Sequence, residues 1–385
     1  MKNVLLVFGG ESYEHEISVV TASQIFNRTR IEDVKLLPLY ISKDNRFYLY
    51  ENKKFALKDF SSDGFKLNGK KFKEVFFVSG EKNKLFIKSV FGLKEYLSAS
   101  VAINACHGGA GENGKLVAFF ERFGIGCSSG DFDSLAACMN KFLFKQVLKG
   151  MDVSVVSGFK ITRQDYEKKA EKKLVDLKLR FMKFPVVIKP NNGGSSIGLF
   201  VAKNKEEFDE GLKSAFEFDK EVIIEKFIQG CREFNIAVLS GNDECKVSEI
   251  DEPLKSNEVL TFADKYLSSE SGTKGKMKCG SMDLGVRKFP ADLPLELANH
   301  MKNTALKIVK CLNLKGIVRI DFLFDESKGK VYVCELNSVP GSLAYYFFER
   351  GVLVNDLVLK LVEIAENDGK FKNTIKSDFI TNILK

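Results

Sequence analysis

Short apolar runs closed by glycine or polar clusters recur along the chain, alternating with stretches whose apolar residues return every three or four positions. The first run, Val4-Leu5-Leu6-Val7-Phe8, ends at Gly9-Gly10; a helical pattern follows from about His15 to Phe26, then a strand at 36–42. Residues 43–90 hold short aromatic-rich runs separated by Asp44-Asn45, Asn68-Gly69 and Lys82-Asn83, which reads as inserted hairpins. A strand at 100–106 leads into a glycine-rich loop, a helix near 114–123 and a strand at 124–128. Residues 133–149 read as one helix with Asp133 available as its cap. The first third is therefore expected to be α/β.

A second region starts near residue 150, with strands at 184–190, 199–202 and 222–227 and helices at 164–182 and 205–217. Beyond 230 come strands at 233–240, 245–251, 318–324 and 331–336, with a helix at 292–312 between them. Residues 253–290 carry Gly272, Gly275, Gly280 and Gly285 among many Ser and Lys; so long a loop is either disordered or a lid over a site. The last dozen residues read as a loose tail.

The two late strands carry the first chemistry. Alternation puts Arg319 and Asp321 on one face of theirs, and Glu335 and Asn337 on one face of the next. A three-residue turn Ser327-Lys328-Gly329 pairs Glu326 with Lys330, Asp321 with Glu335 and Arg319 with Asn337, so the polar groups gather in one patch. Three oxygen donors beside a fixed cation suit Mg²⁺ carrying phosphates. The plainer alternative is a surface ladder of charge pairs.

Composition narrows the field. A chain of 385 residues with 44% hydrophobic and 29% charged residues has the make-up of an ordinary soluble enzyme with room for two or three domains. The net charge of +8 is spread without blocks, which argues against nucleic acid as partner. Eight scattered cysteines with no CxxC pair fit neither a disulfide framework nor a zinc site. Nothing approaches the length of a membrane span, and a cytosolic location is expected.

Upstream, Val187-Ile188-Lys189-Pro190-Asn191-Asn192-Gly193-Gly194-Ser195-Ser196-Ile197-Gly198 delivers a lysine at a strand end and then a small-residue loop. Its backbone N–H groups can cradle phosphate oxygens, though a plain glycine hairpin is the alternative. It matches neither GxxxxGK[ST] nor GxGxxG. Val222–Ile228, followed by Gly230 and Glu233, can offer backbone groups to an adenine edge and a carboxylate to a ribose, or simply exit to solvent. Phe8–Ser18 and Cys106–Gly114 each set polar groups at a strand end, where small-molecule sites sit. A carboxylate in the first of these segments can hold a substrate ammonium; a capping role for Ser12 is equally open, and His107 is placed to line a pocket.

Eight segments in order, FGGESYEHEIS (8–18), HGGAGENG (107–114), MNK (139–141), KPNNGGSSIG (189–198), EKFIQGCREF (225–234), DKY (264–266), RIDF (319–322) and ELNSVPGSL (335–343), resemble the D-alanine–D-alanine ligases of the ATP-grasp superfamily. The resemblance implies three α/β domains: a Rossmann-like substrate-binding unit at 1–133, a central ATP-grasp subdomain at 134–228, and a C-terminal one at 229–385 with the lid at 253–290. It implies ATP between the last two, with Lys141, Lys189 and Ser196 at its phosphate end and Lys265 closing from the lid. Glu225, Lys226, Phe227 and Ile228 would hold adenine and Glu233 the ribose. Asp321, Glu335 and Asn337 would hold two Mg²⁺, with Mn²⁺ able to substitute. Glu14 would bind the first D-alanine's ammonium near His107, in a hydrogen-bonded set with Ser195 and Tyr266. Arg319 and the Gly341 N–H would face the oxyanion, and Ser342 and Leu343 would grip the second carboxylate.

The implied activity is ATP-dependent joining of two D-alanines through D-alanyl phosphate, for peptidoglycan, by a cytoplasmic homodimer with no nucleic acid or membrane partner. The same fold joining D-alanine to D-serine, D-lactate or another amine is the nearest alternative; a nucleotide-binding regulator without ligase activity is a further one. Four departures stand out from the family pattern. Asn113 and Asn140 replace the usual aspartates, one extra residue lies between Gly230 and Glu233, and the Gly341-Ser342-Leu343 segment is shortened.

Overall fold

The computed structural model of the chain describes residues 1–61, 71–241, 244–254, 287–348 and 354–374. The first sheet has the order β4-β3-β2-β1-β7-β8. Its strands are β1 (Lys2–Gly9), β2 (Val34–Ile41), β3 (Phe47–Tyr50), β4 (Phe72–Val75), β7 (Val101–Asn104) and β8 (Gly126–Cys127), while β5 (Lys84–Ser89) and β6 (Gly92–Ser98) form a separate hairpin. β1 runs parallel to β2 and β7, and Val4 to Phe8 are fully buried, as the unbroken apolar run of a strand covered on both faces requires. The helix His15–Arg28 covers one face and enters from the Gly9-Gly10 turn.

The second sheet, order β11-β10-β12-β9, is antiparallel: β9 (Gly158–Thr162), β10 (Val186–Pro190), β11 (Phe200–Ala202) and β12 (Glu221–Lys226). The helices Lys169–Met182 and Lys205–Phe218 cover it, the second burying Phe208, Leu212 and Ala215 against Ile188, Val222 and Ile224. The third sheet runs β15-β14-β13-β16-β17, from β13 (Arg232–Ser240), β14 (Cys245–Pro253), β15 (Arg287–Lys288), β16 (Gly316–Asp325) and β17 (Lys330–Asn337). The helix Leu295–Cys311 packs Met301, Ala305, Ile308 and Val309 on it.

Three local expectations change. The stretch 133–149 is two helices, Phe132–Met139 and Lys141–Gly150, because the Asn140 side chain stops one and caps the other by accepting from Leu143 N–H at 2.9 Å. The stretch 164–182 likewise divides into Arg163–Glu167 and Lys169–Met182. A helix at Val354–Thr374 lies where no element was expected. Its Leu357, Val358, Leu361 and Ala365 join one core cluster with Val4, Leu6, Val101 and Ile103 of the first sheet and Ala237, Leu239 and Ile317 of the third.

Candidate active site

β16 and β17 pair Arg319 with Asn337 and Asp321 with Glu335, as the alternation predicts. The turn that joins them differs: Asp325 pairs with Lys330 around the four residues 326–329, and a bulge between Asp321 and Phe322 absorbs the extra residue, Cys334. The functional end of the hairpin thus keeps its register while the turn end moves by one. Arg319 grips Asp321 with two N–H···O bonds of 2.7 and 2.8 Å, and Asn337 donates to the same carboxylate at 3.1 Å. With its amide turned to donate, Asn235 on β13 adds a bond of 3.0 Å. A carboxylate so surrounded by donors is pre-oriented.

Opposite the hairpin, the loop after β10 is drawn toward the first sheet. Gly194 N–H donates to the Tyr13 hydroxyl at 3.1 Å, and the Ser195 hydroxyl donates to Glu14. A Cβ on Gly194 would stand 2.8 Å from Glu14 Oε2 and would push that carboxylate aside. Ser195 and Ser196 both take left-handed backbone, with φ of 53° and 57°. The helix Lys141–Gly150 sends Lys141 to the Gly193 carbonyl and, at 3.2 Å, to Glu335. Four residues on, Lys145 ion-pairs with Glu225 of β12 at 2.5 Å, and Lys189 meets the other Glu225 oxygen at 2.7 Å. Burial opposes charge on Glu225, but the two lysines outweigh it and hold its carboxyl below the ordinary range.

These groups surround one cleft. Val156, Val187, Ile197, Leu199 and Leu323 give it apolar walls; Lys226, Phe227, Ile228 and Glu233 edge it; Lys141, Lys189, Asp321 and Glu335 charge its far end. A planar apolar group and a polyanion both fit such a cleft.

The strand-end groups of the first sheet form a second, buried network. His107 Nε2 lies 2.8 Å from Thr21 Oγ1, which also accepts from Ser342 N–H at 3.1 Å, and the Ser342 hydroxyl donates to Gln24. Burial lowers the His107 pKa to about 4, so the ring is neutral at pH 7. Burial, reinforced by the nearby Glu14 charge, raises Glu112 to about 8. Ser342, Leu343 and Ala344 run consecutively in left-handed backbone (φ 55°, 48° and 46°), a strain of about 1–2 kcal/mol per residue that the surrounding bonds must hold.

Comparison with known proteins places this geometry. The family model "D-ala D-ala ligase N-terminus" matches residues 3–129, and "D-ala D-ala ligase C-terminus" matches 147–363. The D-alanine–D-alanine ligase of Thermosipho melanesiensis is 33% identical over 391 residues, covering 100% of this chain and 99% of that protein. The chain belongs to the D-alanine–D-alanine ligase family. It is a ligase with the α/β ATP-grasp fold of that family. The solved D-alanine–D-alanine ligase of Helicobacter pylori matches with TM-score 0.72 at 28% identity, covering 94% of this chain and 98% of that one. The VanG D-Ala:D-Ser ligase of Enterococcus faecalis matches with TM-score 0.73 at 26% identity, covering 94% and 99%.

Within this ligase, Lys141, Lys189, Ser196, Glu225–Ile228, Glu233, Asp321 and Glu335 all line the one cleft. Glu14 and Ser195 touch each other, between Gly194 and Ser196 that line the cleft; Arg319 and Asn337 meet on Asp321. Ser342 and Leu343 are buried: Ser342 bonds to Thr21 and Gln24 of the helix His15–Arg28, and Leu343, whose N–H donates to the Pro340 carbonyl at 2.9 Å, sits in the shared core. Lys265, Tyr266 and the lid glycines lie outside the described residues. Sequence reasoning missed Lys145, Glu112, Thr21 and Gln24. For Lys145 a signal existed, since it falls four residues after Lys141 on the same helix face. Among the described residues, no helix is long and apolar enough to cross a membrane.

Proposed function

We propose that this ligase joins two D-alanines at the expense of ATP, through a D-alanyl phosphate, to give D-alanyl-D-alanine for peptidoglycan. The observation that carries it is the meeting of three pairs around one cleft: Glu14 with Ser195, Lys141 with Glu335, and Arg319 with Asp321. A carboxylate is a poor electrophile, so one D-alanine carboxylate oxygen first takes the γ-phosphoryl group and ADP leaves. Lys141 and Lys189 spread the charge of that group. Glu14, oriented by Ser195, holds the ammonium of the first D-alanine. The second amine then attacks the acyl carbon, Arg319 and the Gly341 N–H face the oxyanion, and phosphate departs. The shortened Ser342–Leu343 segment is assigned to the second substrate's carboxylate.

Asp321, Glu335 and Asn337 offer oxygen donors and no thiol or imidazole on one face of the hairpin, which fits hard Mg²⁺, or Mn²⁺ in its place. Two such ions would neutralise the phosphate oxygens. Glu225–Ile228 would take adenine and Glu233 the ribose, with Lys265 and Tyr266 closing from the lid. The domain boundaries at 133/134 and 228/229, a cytoplasmic setting and a homodimer belong to the same proposal.

The test is ADP release with Mg²⁺ and D-alanine alone, with L-alanine as control and product mass read in parallel. Release together with a D-alanyl-D-alanine mass is expected. Release only when D-serine or D-lactate is added would sink the D-alanine acceptor and leave the ATP chemistry standing.

A further inference from the structure

Glu225, Lys145 and Lys189 form a buried set at the back of the cleft, exposed by 3%, 3% and 6%. One lysine meets each carboxylate oxygen, Lys145 at 2.5 Å and Lys189 at 2.7 Å. Two ammonium groups on one carboxylate leave these three groups one positive charge in excess. Two further groups face Lys189: the Glu335 carboxylate, itself held by Lys141 at 3.2 Å, and the buried Cys334 thiol.

The two lysines are not equivalent. Lys189 lines the cleft, at the end of β10; Lys145 approaches Glu225 from behind, on the helix Lys141–Gly150. On the reading above, Lys189 turns to the nucleotide phosphates. A buried carboxylate that loses its cation costs several kcal/mol or takes up a proton instead. The first outcome weakens nucleotide binding, and the second spoils recognition of adenine, whose 6-amino group donates and needs an acceptor in front of it.

We infer that Lys145 is a positioning residue: it is the standing counter-ion of Glu225, which lets Lys189 serve the nucleotide while the carboxylate stays charged and aimed at the 6-amino group. This rests on the proposed ATP site and adds to it a residue that touches neither nucleotide nor metal. The chemistry it controls is the choice between a 6-amino and a 6-oxo purine. A charged Glu225 repels the 6-carbonyl of inosine triphosphate; a protonated Glu225 donates to it.

Lys145→Met leaves Glu225 and Lys189 as a neutral pair, so the empty protein keeps its fold; Lys145→Gln serves if circular dichroism shows otherwise. ATP and Mg²⁺ are titrated calorimetrically into the full chain in two buffers of different ionisation enthalpy. The variant is expected to take up close to one proton more per ATP than the wild type. Its KM for ATP should rise about tenfold and climb with pH, with kcat nearly unchanged, and its preference for ATP over inosine triphosphate should fall. Lys145→Arg should restore all three, and Glu225→Gln should remove the effect of Lys145→Met rather than add to it. The same proton count and the same purine preference in wild type and Lys145→Met would overturn the inference. Failure of the wild type to bind ATP would overturn the reading of the cleft instead.

Discussion

Asn140 and Asn113, two departures from the resembled pattern, each accept a backbone N–H. Asn140 Oδ1 accepts from Leu143 N–H at 2.9 Å and Asn113 Oδ1 from Lys115 N–H at 3.1 Å. Asparagine and aspartate cap equally well, so Asn140→Asp should change stability by less than about 0.5 kcal/mol in a urea melt. Glu335 is different, because its carboxylate pairs with Lys141 at 3.2 Å and is the one proposed for the metal. Glu335→Gln should cut kcat by at least about a hundredfold, the equivalent of roughly 3 kcal/mol, with the fold intact by circular dichroism. Near-normal turnover would remove Glu335 from the metal site.

Glu112 gives a stability signature. Burial and Glu14 raise its carboxyl from the ordinary 4.5 to about 8, so its contribution to folding is complete below 4.5 and is lost as pH rises through 8. His107 runs the other way: lowered to about 4, it contributes above 6.5 and fails as pH falls through 4. Between pH 6.5 and 8.5 only the Glu112 effect is in play for this pair. Wild type should therefore lose more stability to urea over that window than Glu112→Gln; equal losses would contradict the assignment. Neither residue's state was legible in the chain, because Glu112 depends on Glu14 and His107 on Val339 and Arg319, which only the fold brings close.

The hairpin β16–β17 was legible where it matters for a physical reason. Side-chain alternation fixes which face Arg319, Asp321, Glu335 and Asn337 share, and only a two-residue error would leave that face unchanged but misaligned. The turn was misread by one residue, and the bulge at Cys334 cancelled the error before it reached Asp321. The helices broken at Asn140 and Lys168 show the opposite case. Apolar periodicity runs on across each break; at Asn140 a side-chain cap ends the helix regardless, and at Lys168 the backbone turns extended with no side-chain cap. The helix Val354–Thr374 was overlooked, although its packing is exacting. A Cβ on Gly126 of β8 would lie 2.0 Å from the Ala365 carbonyl. Gly126→Val should cost about 3 kcal/mol or more in a urea melt, since neither backbone can yield without the other. A loss under 0.5 kcal/mol would mean that the helix does not dock there.

Across the chain as a unit, the site motifs were readable because each sits at a strand end or helix start, where local pattern and chemistry coincide. What stayed hidden was the way the parts close on one another. The core cluster that holds Val4, Leu6 and Ile103 also holds Ala237, Ile317 and Leu343, and is completed by Leu357, Leu361 and Ala365. No single segment announces such a cluster, since each contributor reads as an ordinary buried residue of its own element. That shared core has a consequence in time. At about 5–20 residues per second, roughly 10 to 45 s separate the synthesis of β8 from that of the helix that covers it. Throughout that interval the cluster that Leu357, Leu361 and Ala365 complete is only part-covered, by the helix His15–Arg28, so apolar surface stays open on a part of the chain that was made early.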